Sequence, residues 1–254
     1  MKASMSKLFL PLLAAGLLCS GPTLADDAKP LTKADVEAIV KQVIAENPEL
    51  LIDSVSNYQK KRLSEDSAKA SKNIVERKAE LLDSEAPSIG NPNGDVTIVE
   101  FFDYHCGYCK QFLPVVTQVV SEDPKLRMVF KEFPILAPDS SIAAKAALAV
   151  YSIDKTKYLA YHTALMKMTG SFNAENLADK AESLGIDKAA FKKSLADPRW
   201  DKELSQNREL AEALYITGTP ALTVGDELVP GVIPVAELKK KIAAVREKAG
   251  EQKK

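Results

Sequence analysis

The sequence predicts an α/β fold built on a small mixed sheet, with one all-helical insertion and a helical region ahead of it. Three observations predict this class. Two apolar, β-branched segments, DVTIVEFFDY and KLRMVFKEFPI, lie on either side of a stretch with helical periodicity. Residues 141–215 then carry helical patterns alone. Two short β segments and an amphipathic helix follow them.

The first element is a predicted secretory signal peptide over residues 1–25. Lys2 and Lys7 precede a short apolar core, and Ala25 offers a cleavage site. The core is too short to cross a bilayer. Export leaves the mature chain with two cysteines, because Cys19 is removed with the signal.

A helical region follows over residues 26–84. Thr32 is expected to cap a first helix, and Asn47 a second helix that begins at Pro48. Apolar residues recur in the first helix at helical spacing: Val36, Ile39, Val40 and Val43. Such a thin stripe must lie along the chain's own core or along another copy of the chain. Its position ahead of the main domain favours self-association, as a homodimer or a homotrimer.

Residues 85–254 form the predicted main domain, which opens with the linker SEAPSIGNPNGD. A strand, a helix over about 107–121 and a second strand then form a parallel βαβ unit. The helical insert covers about 139–216. Gly225 and Asp226 join the last two strands before a final helix over about 235–248.

Charge excludes some partners. The net charge is −1, and no basic cluster follows a groove-like pattern. We therefore expect neither a nucleic-acid partner nor an anionic membrane surface.

Cys106 and Cys109, separated by two residues, start the helix of the βαβ unit. As a disulfide staple they would close too small a loop to stabilise the fold. A structural zinc site needs four ligands, and the chain offers no second cysteine pair and only His105 and His162. Copper(I) accepts two thiolates, so that use stays open.

Thiol–disulfide exchange needs a thiolate and a second thiol within reach, and the sequence supplies both. Free amides and the dipole at a helix N-terminus stabilise a thiolate at Cys106, and Gly107 and Tyr108 offer amides to its sulfur. Cys109 lies one turn further on and faces the same side, so it is placed to release a mixed disulfide.

VEFFDYHCGYC, the helical insert and GTP before a strand together resemble the DsbA-like branch of the thioredoxin superfamily. The helical region in front resembles that of the oligomeric ScsC- and Com-type periplasmic disulfide proteins. The resemblance implies a thioredoxin-like fold, a periplasmic location and no cofactor besides the Cys106–Cys109 redox pair. It also implies unfolded or misoxidised exported proteins as substrates, and a membrane redox partner.

The resemblance further implies roles for single residues. Pro220 is expected to be cis and to face the cysteines, while Thr219, Gly107 and Tyr108 contact the substrate. In related folds a buried acid takes a proton from the second cysteine, and Glu100 is the candidate. The alternative for Glu100 is a side chain that faces solvent. Lys131 is its candidate partner, unless that lysine is exposed.

The dipeptide between the cysteines differs from that of the oxidases that the chain resembles. Those carry Cys-Pro-His-Cys, whereas Gly107–Tyr108 is similar to the periplasmic isomerase DsbC. This dipeptide and the predicted oligomer favour a disulfide isomerase or reductase. A DsbA-type dithiol oxidase is the alternative, and a copper(I)-binding envelope stress protein is an alternative from another class.

Overall fold

The computed structural model describes residues 30–251 of the chain, so the predicted signal peptide lies outside it. The chain divides into two compact units, one up to Val55 and one from Ser56 onward. The predicted division between residues 84 and 85 stays a prediction. Within residues 30–251, no helix has the length and apolar character needed to cross a membrane.

Helix α1 spans Lys33–Glu46, and α2 spans Glu49–Glu76. Thr32 caps α1 as predicted, because its hydroxyl accepts from the Asp35 amide at 3.3 Å. The predicted role of Asn47 is wrong. Its side chain does not cap α2 but turns back and donates to the Val43 carbonyl at 3.0 Å. The last carbonyls of a helix lack intrahelical donors, and Asn47 supplies one.

The first unit leaves its apolar side chains exposed. Helix α1 buries none of its residues. Eight large apolar side chains of α1 and of the start of α2 are 42% to 68% exposed. They are Val36, Ile39, Val40, Val43, Leu50, Leu51, Ile52 and Val55.

The second unit begins within α2, whose later residues are partly buried. Ala70 and Ile74 of α2 are buried, and so is Leu81 of the short helix α3, Lys78–Leu81. Ile74 and Leu81 share an apolar cluster with Val99. Both residues are therefore part of the core of the second unit.

Five strands form one mixed sheet in the order β1-β3-β2-β4-β5. In chain order, β1 to β5 are Ser88–Gly90, Val96–Phe102, Leu126–Glu132, Ala221–Val224 and Glu227–Pro230. Strands β2 and β3 are parallel as predicted, and the other pairs are antiparallel. Strand β1 lies inside the predicted linker, so the linker is not entirely irregular. Three residues are too few to show the alternation that marks a strand.

Helix α4, Gly107–Glu122, joins β2 to β3 and completes the predicted βαβ unit. The helical insert lies between β3 and β4, as predicted. Its helices α5 to α9 are Ser140–Ile153, Tyr158–Lys167, Ala174–Glu182, Lys188–Leu195 and Arg199–Ala213. Helix α10, Val235–Glu251, is the last described element.

The sheet has two covered faces. On the front face, Ile98 and Phe102 share a core with Phe112 of α4. On the back face, Val99 and Phe101 share a core with residues of α2, α3 and α9. Because side chains alternate along a strand, Glu100 belongs to the front face.

Candidate active site

Cys106 is the N-cap of α4, directly after the loop that leaves β2. Its sulfur accepts a hydrogen bond from the Cys109 amide at 3.4 Å. The sequence predicted the amides of Gly107 and Tyr108 as donors, and that prediction is wrong. An N-cap side chain bonds to amides in the second or third position of the helix, and Cys109 occupies the third.

Cys106 and Cys109 are both free thiols in this structure. Cys106 is 4% exposed and Cys109 is fully buried. Burial, and then the charge of Glu100, raise the pKa of the Cys109 thiol. Of the two cysteines only Cys106 keeps any exposure, and the Cys109 thiol keeps its proton until a base removes it.

The Thr219–Pro220 peptide bond is cis, as predicted. Thr219 lies against the first cysteine, 113 residues away along the chain, and the Cys106 thiol donates to the Thr219 carbonyl at 3.2 Å. The Thr219 hydroxyl oxygen is buried without a hydrogen-bond partner among the described residues. The helix N-terminus and the cis-proline loop therefore meet at the Cys106 sulfur.

Glu100 is buried on the front face, at 3% exposure, so the solvent-facing alternative is wrong. Burial raises the pKa of its carboxyl to about 8. Lys131 does not pair with it. Lys131 is also buried, contrary to the exposed alternative, but β3 turns its side chain to the back face, where it lines a cavity with acidic residues of α9.

The two tyrosines around the cysteines differ. Tyr108, between the cysteines, is 66% exposed and free to meet a substrate. Tyr104, two residues before Cys106, is instead buried and forms no part of the surface around the cysteines. Its hydroxyl points into the protein, towards Glu132 and His162.

Asp103 fixes the loop before Cys106, and the sequence did not identify it. Its buried carboxylate accepts four hydrogen bonds of 2.8 to 2.9 Å, which come from the amides of His105, Ile135 and Leu136 and from the Ser140 hydroxyl. An acid that directly follows an apolar strand is the one signal that marked it. The clamp joins the end of β2 to the start of the helical insert.

His105 adds a second tie on the outer side of this loop. Its Nε2 atom lies 2.8 Å from the Asp139 carboxylate. The Phe172 amide donates to the same carboxylate at 2.7 Å. These contacts, first that of Phe172 and then that of His105, lower the pKa of the Asp139 carboxyl.

Metal ligands are sparse in the part of the chain that the structure describes. Residues 30–251 hold no group of three or more histidine, cysteine or acidic side chains placed to bind a metal ion. The copper(I) alternative, which needs only two thiolates, stays a prediction.

Comparison with known families identifies the domain that carries this site. Residues 97–243, more than half of the chain, match the family model of the DSBA-like thioredoxin domain. The chain belongs to this family. The match includes both cysteines and Pro220, and it extends into α10.

Sequence relatives of this DSBA-like chain differ in length. It is 29% identical to the Na(+)/H(+) antiporter NhaA 1 of Salinispora arenicola over 137 residues. This alignment covers 53% of this chain but 21% of the antiporter. It is 27% identical to the thiol:disulfide interchange protein DsbA of Bordetella parapertussis over 145 residues, and this alignment covers 55% of this chain and 68% of that protein.

Solved structures confirm the thioredoxin-like fold with its helical insertion. The thiol-disulfide exchange protein alpha-DsbA2 of Wolbachia pipientis aligns with a TM-score of 0.66 and 34% identity, over 69% of this DSBA-like chain and 95% of its own. ScsC of Proteus mirabilis, in a transitional conformation, aligns with a TM-score of 0.64 and 29% identity, over 86% and 100%. The predicted resemblance to DsbA-like and ScsC-type proteins is thereby confirmed.

Proposed function

We propose that this protein is a thiol:disulfide oxidoreductase that acts on the cysteines of exported proteins through Cys106 and Cys109. One observation carries the proposal. The Cys106 sulfur lies at the N-terminus of α4, 3.4 Å from the Cys109 amide and 3.2 Å from the carbonyl of the cis Thr219–Pro220 bond. This places the Cys106 sulfur beside an amide donor and within reach of the cis-proline loop, and the thiolate is the form that attacks disulfides.

The exchange has two steps. In the first, the Cys106 thiolate attacks one sulfur of a substrate disulfide, forming a mixed disulfide and releasing the other substrate sulfur as a thiolate. In the second, the Cys109 thiolate attacks the Cys106 sulfur and releases the remaining substrate thiolate. The substrate disulfide is thereby reduced by two electrons, and the cysteine pair is oxidised to a disulfide.

Glu100 is proposed to accept the proton that Cys109 loses in the second step. Both groups are buried, and the charge of Glu100 acts on the pKa of Cys109. A carboxyl with a pKa of about 8 both takes up and returns a proton near neutral pH. The reverse exchange, in which the pair oxidises a substrate, would use the same group to return the proton.

Substrate is proposed to bind across the cysteine pair and the cis-proline loop. Thr219 contributes its backbone beside the Cys106 sulfur, Gly107 leaves space above the helix end, and Tyr108 offers an exposed ring. Nothing within 4 Å would meet a β-carbon added at Gly107. An open, weakly polar surface of this kind suits unfolded or misoxidised chains of varied sequence.

The finer proposal is an oligomeric disulfide isomerase or reductase, located in the periplasm after removal of residues 1–25. In isomerisation, a second substrate thiolate attacks the mixed disulfide and regenerates reduced Cys106. The exposed apolar side chains of α1 support an oligomer, dimeric or trimeric, that forms through residues 26–84. A DsbA-type oxidase, kept oxidised by a membrane redox partner, is the alternative.

The test is refolding of scrambled ribonuclease by the purified protein in a glutathione buffer. We expect the wild-type protein to restore ribonuclease activity, Cys106→Ala to be inactive, and Cys109→Ala to accumulate mixed disulfides with the substrate. Oxidation of reduced ribonuclease without repair of the scrambled form would favour the oxidase. A Cys106→Ala protein as active as the wild type would sink the proposal.

A further inference from the structure

Three buried polar side chains meet behind the loop that carries Cys106. The Tyr104 hydroxyl lies 3.2 Å from Glu132 Oε1 and 3.0 Å from His162 Nδ1. The three residues come from the loop after β2, the end of β3 and the middle of α6. Each of them is only 1% exposed. The steps proposed above use none of the three.

The number of protons restricts how these groups bond. A tyrosine hydroxyl carries one proton, so it donates to only one of its two neighbours, and the other neighbour must donate to it. Burial raises the pKa of the Glu132 carboxyl and lowers the pKa of the His162 imidazole to about 3, so the imidazole is neutral at neutral pH and carries one N–H proton. The Tyr104 hydroxyl donates to Glu132 Oε1, so His162 donates to Tyr104 through its Nδ1–H.

One contact holds the Glu132 carboxyl. Its Oε2 atom is buried and has no hydrogen-bond partner among the described residues. The Tyr104 hydroxyl is therefore the one group among the described residues that bonds to this carboxyl, and the chain runs from His162 through Tyr104 to Glu132.

This chain holds the inner side of the nucleophile loop. Tyr104 is two residues before Cys106, and its ring packs edge-on against Phe102 at 5.2 Å. Asp103, the residue before Tyr104, is fixed on the other side because its carboxylate accepts from the Ser140 hydroxyl. The Asp103 carbonyl in turn accepts from the Cys106 amide at 3.0 Å. With the loop held from both sides, the Cys106 sulfur stays between the Cys109 amide and the Thr219 carbonyl.

We propose that Glu132, Tyr104 and His162 form a hydrogen-bonded chain that positions Cys106 for thiol exchange. All three are positioning residues, because the structure places none of them at the reacting sulfur. The inference rests on the proposed function and adds residues to it. Small displacements of a nucleophile cost large factors in rate, so loss of the chain is expected to slow exchange.

The first test compares two tyrosines. Tyr104→Phe removes the central hydroxyl of the chain. Tyr161→Phe is the matched control, because Tyr161 is equally buried in α6 and its hydroxyl donates to the Leu177 carbonyl at 2.9 Å, away from the loop. We measure the rate of reaction of the reduced protein with oxidised glutathione, and the reduction potential of the cysteine pair.

We expect Tyr104→Phe to react about tenfold more slowly per folded molecule, and Tyr161→Phe to react at the wild-type rate, although both lose stability. Equal rates for the two variants would show that the chain is only structural and would overturn the inference. A wild-type protein that is inert towards oxidised glutathione would instead overturn the proposed function, and the positioning role with it.

The second test addresses the direction of the chain. Glu132→Gln keeps a carbonyl oxygen that accepts from the Tyr104 hydroxyl, whereas Glu132→Met removes the acceptor at similar volume. We expect the glutamine variant to retain the wild-type rate and the methionine variant to behave as Tyr104→Phe. Nitrogen NMR should show His162 with its proton on Nδ1. A proton on Nε2, or a glutamine variant as slow as the methionine variant, would contradict the direction.

Discussion

The two units of the chain depart from the usual distribution of side chains in opposite ways. The first unit exposes apolar residues, with none of α1 buried. The second unit buries ionisable residues, among them Glu100, Lys131 and Glu132, at 1% to 4% exposure. Each arrangement costs free energy in an isolated chain, because exposed apolar patches and buried charges are both unfavourable.

The difference indicates where a functional requirement lowers the stability of the chain. In the first unit the cost disappears if another copy of the chain covers the apolar residues. On the front face of the sheet, the proposed proton acceptor Glu100 and the proposed chain at Tyr104 would account for the cost. On the back face, no proposed role uses Lys131. Four predictions test these assignments.

The largest expected effect is on self-association. Val36→Glu with Val40→Glu places two charges among the exposed apolar residues of α1. We expect the dissociation constant of the oligomer to rise on the order of a thousandfold, because each lost valine burial costs roughly 1.5 kcal/mol and several are lost per assembly. Sedimentation equilibrium measures it.

Lys41→Glu is the matched control, because it changes the net charge by the same amount on the opposite side of α1. We expect it to leave the oligomer intact. The dissociated double variant should still exchange disulfides with glutathione but should lose the refolding of scrambled ribonuclease. A double variant that keeps the wild-type mass would contradict the proposed role of residues 26–84.

The next effect concerns Glu100. Glu100→Gln removes the proposed proton acceptor, so we expect release of the mixed disulfide by Cys109 to slow on the order of tenfold or more. Glu182→Gln, which changes an exposed acid of α7, should have no effect. Rapid-quench detection of the mixed disulfide measures the step. An unchanged rate of release would remove Glu100 from the mechanism.

The Glu100→Gln variant also tests the raised pKa of the Glu100 carboxyl. A folded-state pKa of about 8, above the ordinary 4.5, means that folded Glu100 keeps a proton that the unfolded chain has lost. The stability from this group is complete below pH 4.5 and is lost as pH rises towards about 8. In Glu100→Gln, the fall in unfolding free energy with pH should be smaller by about 1.4 kcal/mol per unit across that window. Urea unfolding at several pH values measures it.

The sequence predicted what local patterns encode. The βαβ unit, the helical insert and the Thr32 cap depend on neighbouring residues, and the structure confirms them. The resemblance implied the cis bond at Pro220, which is also observed. Strand β1 escaped prediction because its pairing with β3, and not its own pattern, makes it a strand.

Buried polar residues were the least predictable part of the site. Both faces of β2 and β3 are covered, so their sequences show no polar face and do not tell whether an acid or a lysine turns inward. Glu132 and Asp103 acquire partners 28 to 37 residues away, and a single sequence does not show such contacts. The expectation that Lys131 is exposed was wrong for the same reason.

The smallest effect is expected at Lys131, where the question is whether a buried charge with no proposed role can be removed without loss of stability. No described residue bonds to or forms an ion pair with its ammonium group, although it lines a cavity of about 190 Å³ with Glu80, Asp83 and Glu203. Lys131→Met keeps the volume and removes the desolvated charge. We expect it to raise the unfolding free energy by about 1 kcal/mol without changing the rate of exchange.

Lys193→Met, at an exposed position of α8, is the control and should leave stability unchanged. Burial lowers the pKa of Lys131, so the folded protein sheds this proton at a lower pH than the unfolded chain. The unfolding free energy of the wild-type protein should therefore rise as pH approaches 10.5. The difference in unfolding free energy between Lys131→Met and the wild-type protein should become smaller over the same range. If the substitution destabilises the protein, the cavity acids hold the lysine favourably, and the contrast between the two faces of the sheet fails.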